Sequence, residues 1–206
     1  MKAILTVLLL AFLSACSRTE GWKEDVLLSS GETLAVERRE THKPDAFFQP
    51  GLGPIAATEL VADIPPYGVV SYKVEGGDYP LLLDKVDGKL WVAFPVSDEA
   101  SCERYGNPLE SVVVMTYAGK KWTQVSLALS PPDLRVNLDQ TDRWFRPNDG
   151  TGRQLPRPHV TLEAKRASHI SISDPPNGMS LHDASGLARY VPRRCTAGGV
   201  AQRLER

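Results

Sequence analysis

Four histidines, three cysteines and scattered carboxylates are the residues with which this chain could do chemistry. His42, His159, His169 and His182 each lack another histidine within four residues, so the spacing of a helical zinc site is missing. Neither a Gly-x-Ser-x-Gly elbow nor a phosphate-cradling glycine loop occurs. His182-Asp183, with Ser171, Ser173, Ser180 and Ser185 around it, holds the residue types of a serine nucleophile and its base. The same residues are the ordinary content of polar turns, and that is the reading adopted. Asp84 and Asp87 flank a turn, where aspartate is favoured for conformational reasons. A glycosidase would need two acids at a set separation, which a linear sequence does not display. No catalytic residue, metal site or cofactor is expected.

The elements that would position any site are hairpins. The chain has 206 residues, 42% hydrophobic and 24% charged, which suits one globular core. Sixteen glycines and sixteen prolines favour short strands joined by many turns. Residues 26–28 and 33–36 read as strands around Ser29-Ser30-Gly31-Glu32. Residues 44–66 look like an irregular Gly/Pro loop, within which 55–61 could form a short helix or strand. Residues 69–74 alternate and end at Gly76-Gly77. Asp87-Gly88 divides residues 81–94 and accepts the positive φ angles of a type I′ turn. A further hairpin joins 111–117 to 122–129 through Ala118-Gly119-Lys120-Lys121, and Pro131-Pro132 stops it. No segment shows a helical apolar period. Trp22, Trp91 and Trp122 stand on or beside these hairpins and are expected to fill the core between two sheets rather than to form a stacking surface. The expected fold is mainly β: a small antiparallel hairpin-rich sandwich or open barrel over residues 22–140, followed by an irregular C-terminal extension.

Charge marks the boundary near residue 140. The whole chain carries 24 Lys and Arg against 25 Asp and Glu, which argues against a strongly basic nucleic-acid binder. Residues 17–140 hold 12 basic and 19 acidic residues, whereas 141–206 hold 11 basic and 6 acidic, ten of those cations being arginine. Residues 141–197 are therefore expected to form a basic Pro/Arg-rich extension, with strand-like runs at 160–163 and 170–173. Without aromatic interleaving its charge does not suggest nucleic acid, and no such partner is expected.

The start of the chain is an address. Met1-Lys2, an apolar run over 3–12 and then Leu13-Ser14-Ala15-Cys16 read as a secretory signal, too short to span a bilayer of about 30 Å. Leu13-Ser14-Ala15-Cys16 resembles the lipobox of bacterial lipoproteins. The resemblance implies removal of residues 1–15, a diacylglycerol thioether on Cys16 and acylation of the new amino terminus. Two or three acyl chains, at about 0.8 kcal/mol per buried CH₂, hold firmly where one would be marginal. Ser17 in place of aspartate implies the outer membrane, periplasmic face, with residues 16–21 as a lipidated polar tether. Cys102 and Cys195 remain as an even pair. In an oxidising compartment they suggest a disulfide, closing a loop of about 94 residues and contributing roughly 4–5 kcal/mol. Two free thiols are the alternative.

Gly21-Trp22, Val26-Leu27-Leu28 with Gly31, Val36-Glu37-Arg38, Tyr105-Gly106-Asn107-Pro108 and the Tyr117, Gly119, Trp122 spacing resemble a family of small proteobacterial proteins. The likeness covers about residues 20–130 and brings no activity with it. The expectation is thus a lipid-anchored envelope protein: a non-enzymatic β module with a structural role or an envelope-protein partner, attached to the membrane through Cys16. The competing expectation is an envelope-acting enzyme or inhibitor with a site built from the loop around residues 44–66.

Residues 198–206 resemble the translation of a transfer-RNA gene's 5′ end, and are expected to form a disordered tail from a gene boundary. Val200, Ala201 and Leu204 are its only sizeable apolar content, too little to offset an ordering cost of about 1–2 kcal/mol per residue. A chain ending at Ala197 is expected to melt within about 1 °C of full length, as followed by calorimetry; a drop of several degrees would show that the tail packs.

Overall fold

In the computed structural model the described residues are 17–44, 53–96, 98–108, 111–138, 159–167, 178–183 and 195. They build two four-stranded antiparallel sheets in which every strand pairs with its neighbour in sequence. The first holds β1 (Arg18–Leu27), β2 (Thr33–His42), β3 (Ile55–Ile64) and β4 (Gly68–Glu75). The second holds β5 (Leu82–Val86), β6 (Lys89–Pro95), β7 (Val112–Ala118) and β8 (Lys121–Val125). Both sheets stay open, so the fold is a sandwich and not a barrel. Two six-residue helices, α1 (Glu99–Arg104) and α2 (Leu162–Ala167), and a 3₁₀ turn at Leu127–Leu129 complete the described elements.

Period-two patterning decides which face is buried. In β4, Val70, Tyr72 and Val74 point inward while Val69, Ser71, Lys73 and Glu75 meet solvent. Val26, Val36, Leu60 and Tyr72 of the first sheet share a core with Leu90, Val92 and Phe94 of the second. Strand β6 is apolar on both faces, because Trp91 and Ala93 enter a second core with Val114, Leu134, Val136 and Leu181. The second sheet is therefore a middle layer, covered on its far side by chain that follows β8.

A run of rings closes the open side between β4 and β8. Tyr67 meets Tyr117 edge-on at 6.0 Å, Tyr117 meets Trp122 at 5.0 Å, and Trp122 meets Tyr72 at 4.8 Å. The Trp122 indole N–H donates to Ser71 O at 2.8 Å, occupying a carbonyl on the β4 edge.

Several elements differ from expectation, each for a physical reason. The polar tether is shorter than residues 16–21, since Arg18 already pairs with His42 and Gly21 with Arg39. Within the stretch 44–66, the part at 55–61 left open as a short helix or strand is strand and runs on to Ile64: β3 pairs on both sides, with β2 and β4, which outweighs its flanking prolines. Residues 127–129 turn as a 3₁₀ helix where a strand was expected, started by the Ser126 hydroxyl accepting from Ala128 N. Val160 makes one parallel bridge with Glu24, and α2 begins at Leu162, so 160–163 is not a regular strand. Helix α1 was not foreseen; Asp98 caps it by accepting from Ser101 N at 2.7 Å. Trp91 is buried beneath the post-β8 chain and not between the sheets. Strand-like residues 170–173, residues 1–16 and the tail at 198–206 lie outside the described residues.

Asp87 and Gly88 both take positive φ, 51° and 66°, as a type I′ turn requires. A β-branched side chain resists that region, although nothing lies within 4 Å of a Cβ built on Gly88. Gly88→Val is expected to destabilise the domain by about 1 kcal/mol or more in urea titration, through backbone strain alone. Unchanged stability would show that the turn can re-form in another type.

Candidate functional site

Halfway along the first sheet the buried face changes from apolar to charged. The inward series runs from Leu28, just past β1, through Val26, Glu24 and Trp22 on β1, and Leu34, Val36, Arg38, Glu40 and His42 on β2. Register sets Trp22 opposite Arg38, then Arg38 opposite Leu60, and Glu40 opposite Thr58. Arg38 Nη1 donates to Glu24 Oε2 at 3.0 Å, and its guanidinium lies 5.0 Å from the centre of the Trp22 ring. Glu40 Oε2 stands 3.6 Å from His42 Nε2, while His42 Nδ1 donates to Gly53 O at 2.9 Å.

The chain beyond β8 completes this cluster. Asp25 N donates to Val160 O at 2.8 Å and Val160 N to Lys23 O at 2.9 Å, which occupies part of the β1 edge. His159 Nε2 meets Asp25 Oδ1 at 2.8 Å on the surface. Helix α2 then sends Lys165 inward, its Nζ 2.5 Å from Glu24 Oε1 and donating to Asn137 O at 2.8 Å. Glu24, Arg38, Glu40 and Lys165 supply two formal charges of each sign, and none is more than 7% exposed. A charge set this dry and this committed holds elements together; no face of it is open to a substrate.

A second constellation has the composition of a catalytic dyad. Ser130 Oγ lies 3.1 Å from His182 Nε2. The same nitrogen lies 3.0 Å from Pro131 O, a carbonyl that can only accept, so Nε2 carries the hydrogen. Ser130 gives its own hydrogen to Leu127 O at 2.8 Å. The protons therefore sit the wrong way round for base-assisted attack, and the pair is a clip joining residues 178–183 to the chain after β8. Of the serines considered with His182, Ser180 accepts from His182 N at 3.2 Å, while Ser171, Ser173 and Ser185 lie outside the described residues.

The other expected positions have been given structural tasks. Asp84 is buried and accepts from Ser29 N, Ser29 Oγ and Lys85 N, tying the β1–β2 turn to β5. Cys102 on α1 and Cys195 form a disulfide with Cα atoms 5.4 Å apart, inside the core between the sheets. Burial pushes the Tyr72 phenol far above its ordinary value, helped by nearby Tyr105, and burial raises Tyr105 as well, so neither is a base near neutral pH. Among the described residues no group of three or more His, Cys, Asp or Glu could hold a metal ion. Residues 55–64 of the stretch foreseen as a loop-built site are interior strand, and 45–52 lie outside the described residues. Sequence reasoning missed Ser130, Glu24, Arg38 and Lys165; the one available signal was the unbroken even-numbered series 22–28 and 34–42. Compared with family models, curated proteins and solved structures, the chain matches none.

Glu24→Gln removes the carboxylate that faces both Arg38 and Lys165. Breaking a buried pair from one side costs about 3–5 kcal/mol, because a desolvated charge is left behind. Chemical denaturation of the variant is expected to show a loss of that order. Glu24→Gln with Lys165→Met, which restores the balance, is expected to recover part of it; additive losses would mean the two residues do not interact.

Proposed function

We propose that the protein is a lipid-anchored β sandwich of the bacterial outer membrane's periplasmic face, working by binding another envelope protein and not by catalysis. The observation that carries this reading is the position of the fold relative to Cys16. The lipobox-like Leu13-Ser14-Ala15-Cys16 is followed by Ser17 alone before β1 begins at Arg18. An acyl group on Cys16 would hold the sheet within about 10 Å of the headgroups, given roughly 3.3–3.6 Å per extended residue. The chemistry-bearing side chains support the same reading. The buried charges lock α2 to β1 and β2, and the Ser130–His182 pair fastens a segment. The Cys102–Cys195 disulfide suits an oxidising compartment. No helix among the described residues is long and apolar enough to cross a membrane.

Growth with radioactive palmitate tests the anchor. Wild type is expected to be labelled and to sediment with membranes, and Cys16→Ser is expected to be unlabelled. Equal labelling of both, or none in either, overturns the anchored reading.

A further inference from the structure

Helix α1 covers the Cys102–Cys195 bond with little packing of its own. Of its six residues only Ser101 and Cys102 are buried, while Glu99, Ala100, Glu103 and Arg104 face solvent. A helix this short has no stability of its own in water. Among the described residues it is held by the Asp98 cap and by Arg104 Nη1, which donates to Glu75 O at 3.3 Å. Just past its end, Gln124 Nε2 donates to Tyr105 O at 2.9 Å, and the Tyr105 ring meets Phe94 edge-on at 5.1 Å. Gly106 and Asn107 follow at φ 74° and 54°, a left-handed pair that ends the helix and provides a hinge. The disulfide lies beneath. Cys102 is 2% exposed and Cys195 8%, in the core with Phe94, Val96 and Val113. Cys195 N donates to Ser111 Oγ at 3.4 Å. Exchange requires an outside thiolate to strike one of the two sulfurs, and sulfurs buried to this degree are out of its reach.

We infer that α1 is the gate of a redox clasp: the Cys102–Cys195 bond is made by an outside disulfide, and broken by an outside dithiol, only while α1 is lifted from the core. The device works whether or not Cys16 carries lipid. In the closing direction the Cys102 thiolate attacks one sulfur of the outside disulfide and displaces the other as a thiolate. The Cys195 thiolate then attacks Cys102 Sγ and displaces the outside sulfur as the second thiolate. Two electrons pass from the cysteine pair to the outside disulfide, and the two protons that the cysteines lose end on its thiols. An outside dithiol runs the same steps backwards. Seating α1 then hides both sulfurs, and the covalent bond supplies the hold that two buried side chains do not. The strands on either side are poor gates, since β6 and β7 pair along their length and are buried on both faces. Helix α1 instead lies across the side of the sandwich, tied to Glu75 of β4 and, through Tyr105, to Gln124 of β8. Opening such a weakly packed element takes less free energy than opening a sheet.

The test treats the mature full chain, folded in neutral detergent, with dithiothreitol, quenches with iodoacetamide and counts alkylated Cys102 and Cys195 by mass. Reduction is expected to run at least about a hundredfold slower than in concentrated urea, and a smaller ratio overturns the inference. Asp98→Ala, which removes the cap, is expected to speed reduction of the folded protein about fivefold. Gly88→Val loosens the fold at the opposite end of β6 and is expected to leave that rate within about twofold. Equal acceleration in both variants shows that only whole-domain unfolding bares the bond, and no acceleration in Asp98→Ala shows that α1 does not gate it; either sinks the proposal. Deuterium uptake in the wild type gives a readout that depends on neither variant. On reduction it is expected to rise over residues 99–106 and to stay unchanged over β3. No rise over 99–106, or an equal rise across both sheets, overturns the gate.

Discussion

The structure depends on one buried carboxylate. Glu24, on an edge strand, faces a cation from the next strand and a cation from a helix more than a hundred residues later. Removed from water, each of these charges is stable only in the presence of the others. The constraint explains why the chain beyond β8 is part of the domain despite its irregular path. Lys165 supplies a charge that the first sheet needs, and Val160 covers backbone groups that β1 would otherwise leave open. Leu181 and Cys195 add apolar and covalent ties to the same body.

Burial of this kind shapes what the molecule can do. Polar side chains that might have formed a reaction centre are saturated by one another or by backbone carbonyls, as His182 is by Pro131 and Ser130. Chemical diversity is spent inside on holding layers in place. The outward face of the first sheet carries exposed ion pairs, Arg39 with Glu37 and Lys73 with Glu75, which contribute little to stability.

The hairpins were legible because their signals are local. Asp87-Gly88, Gly119 and Gly31 mark turns whose positive φ values follow from residue type. The mainly β class followed from counting those hairpins, which left sandwich and open barrel as alternatives until the two open sheets decided between them. Strand length was not legible. Residues 37–40, Glu-Arg-Arg-Glu, read as the end of a strand because nothing in the local pattern shows that Arg38 and Glu40 are buried against ionic partners, Glu24 and His42. Strand β3 stayed undecided between helix and strand over 55–61, since its place between two neighbours cannot be inferred from its own Ala and Glu content. The charged cluster and the Ser130–His182 clip depend on the chain returning from beyond residue 150, and no local pattern announces a return.

The strand order carries a consequence for how the molecule assembles. Among the described residues each strand of either sheet has only its sequence neighbours as strand partners, and the pairing across the break between β4 and β5 is the isolated Glu24–Val160 bridge. Contact order within each sheet is therefore low, and the loops that must close to zip successive hairpins are short apart from those between β2 and β3 and between β6 and β7. Each meander can form as its own residues become available, in the order in which the chain emerges. The late event is then the burial of a half-charged sheet face, which awaits the arrival of Lys165. Until that moment the first sheet holds its register through backbone pairing while part of its inner face stays wet, a state that water stabilises and that apolar aggregation does not favour.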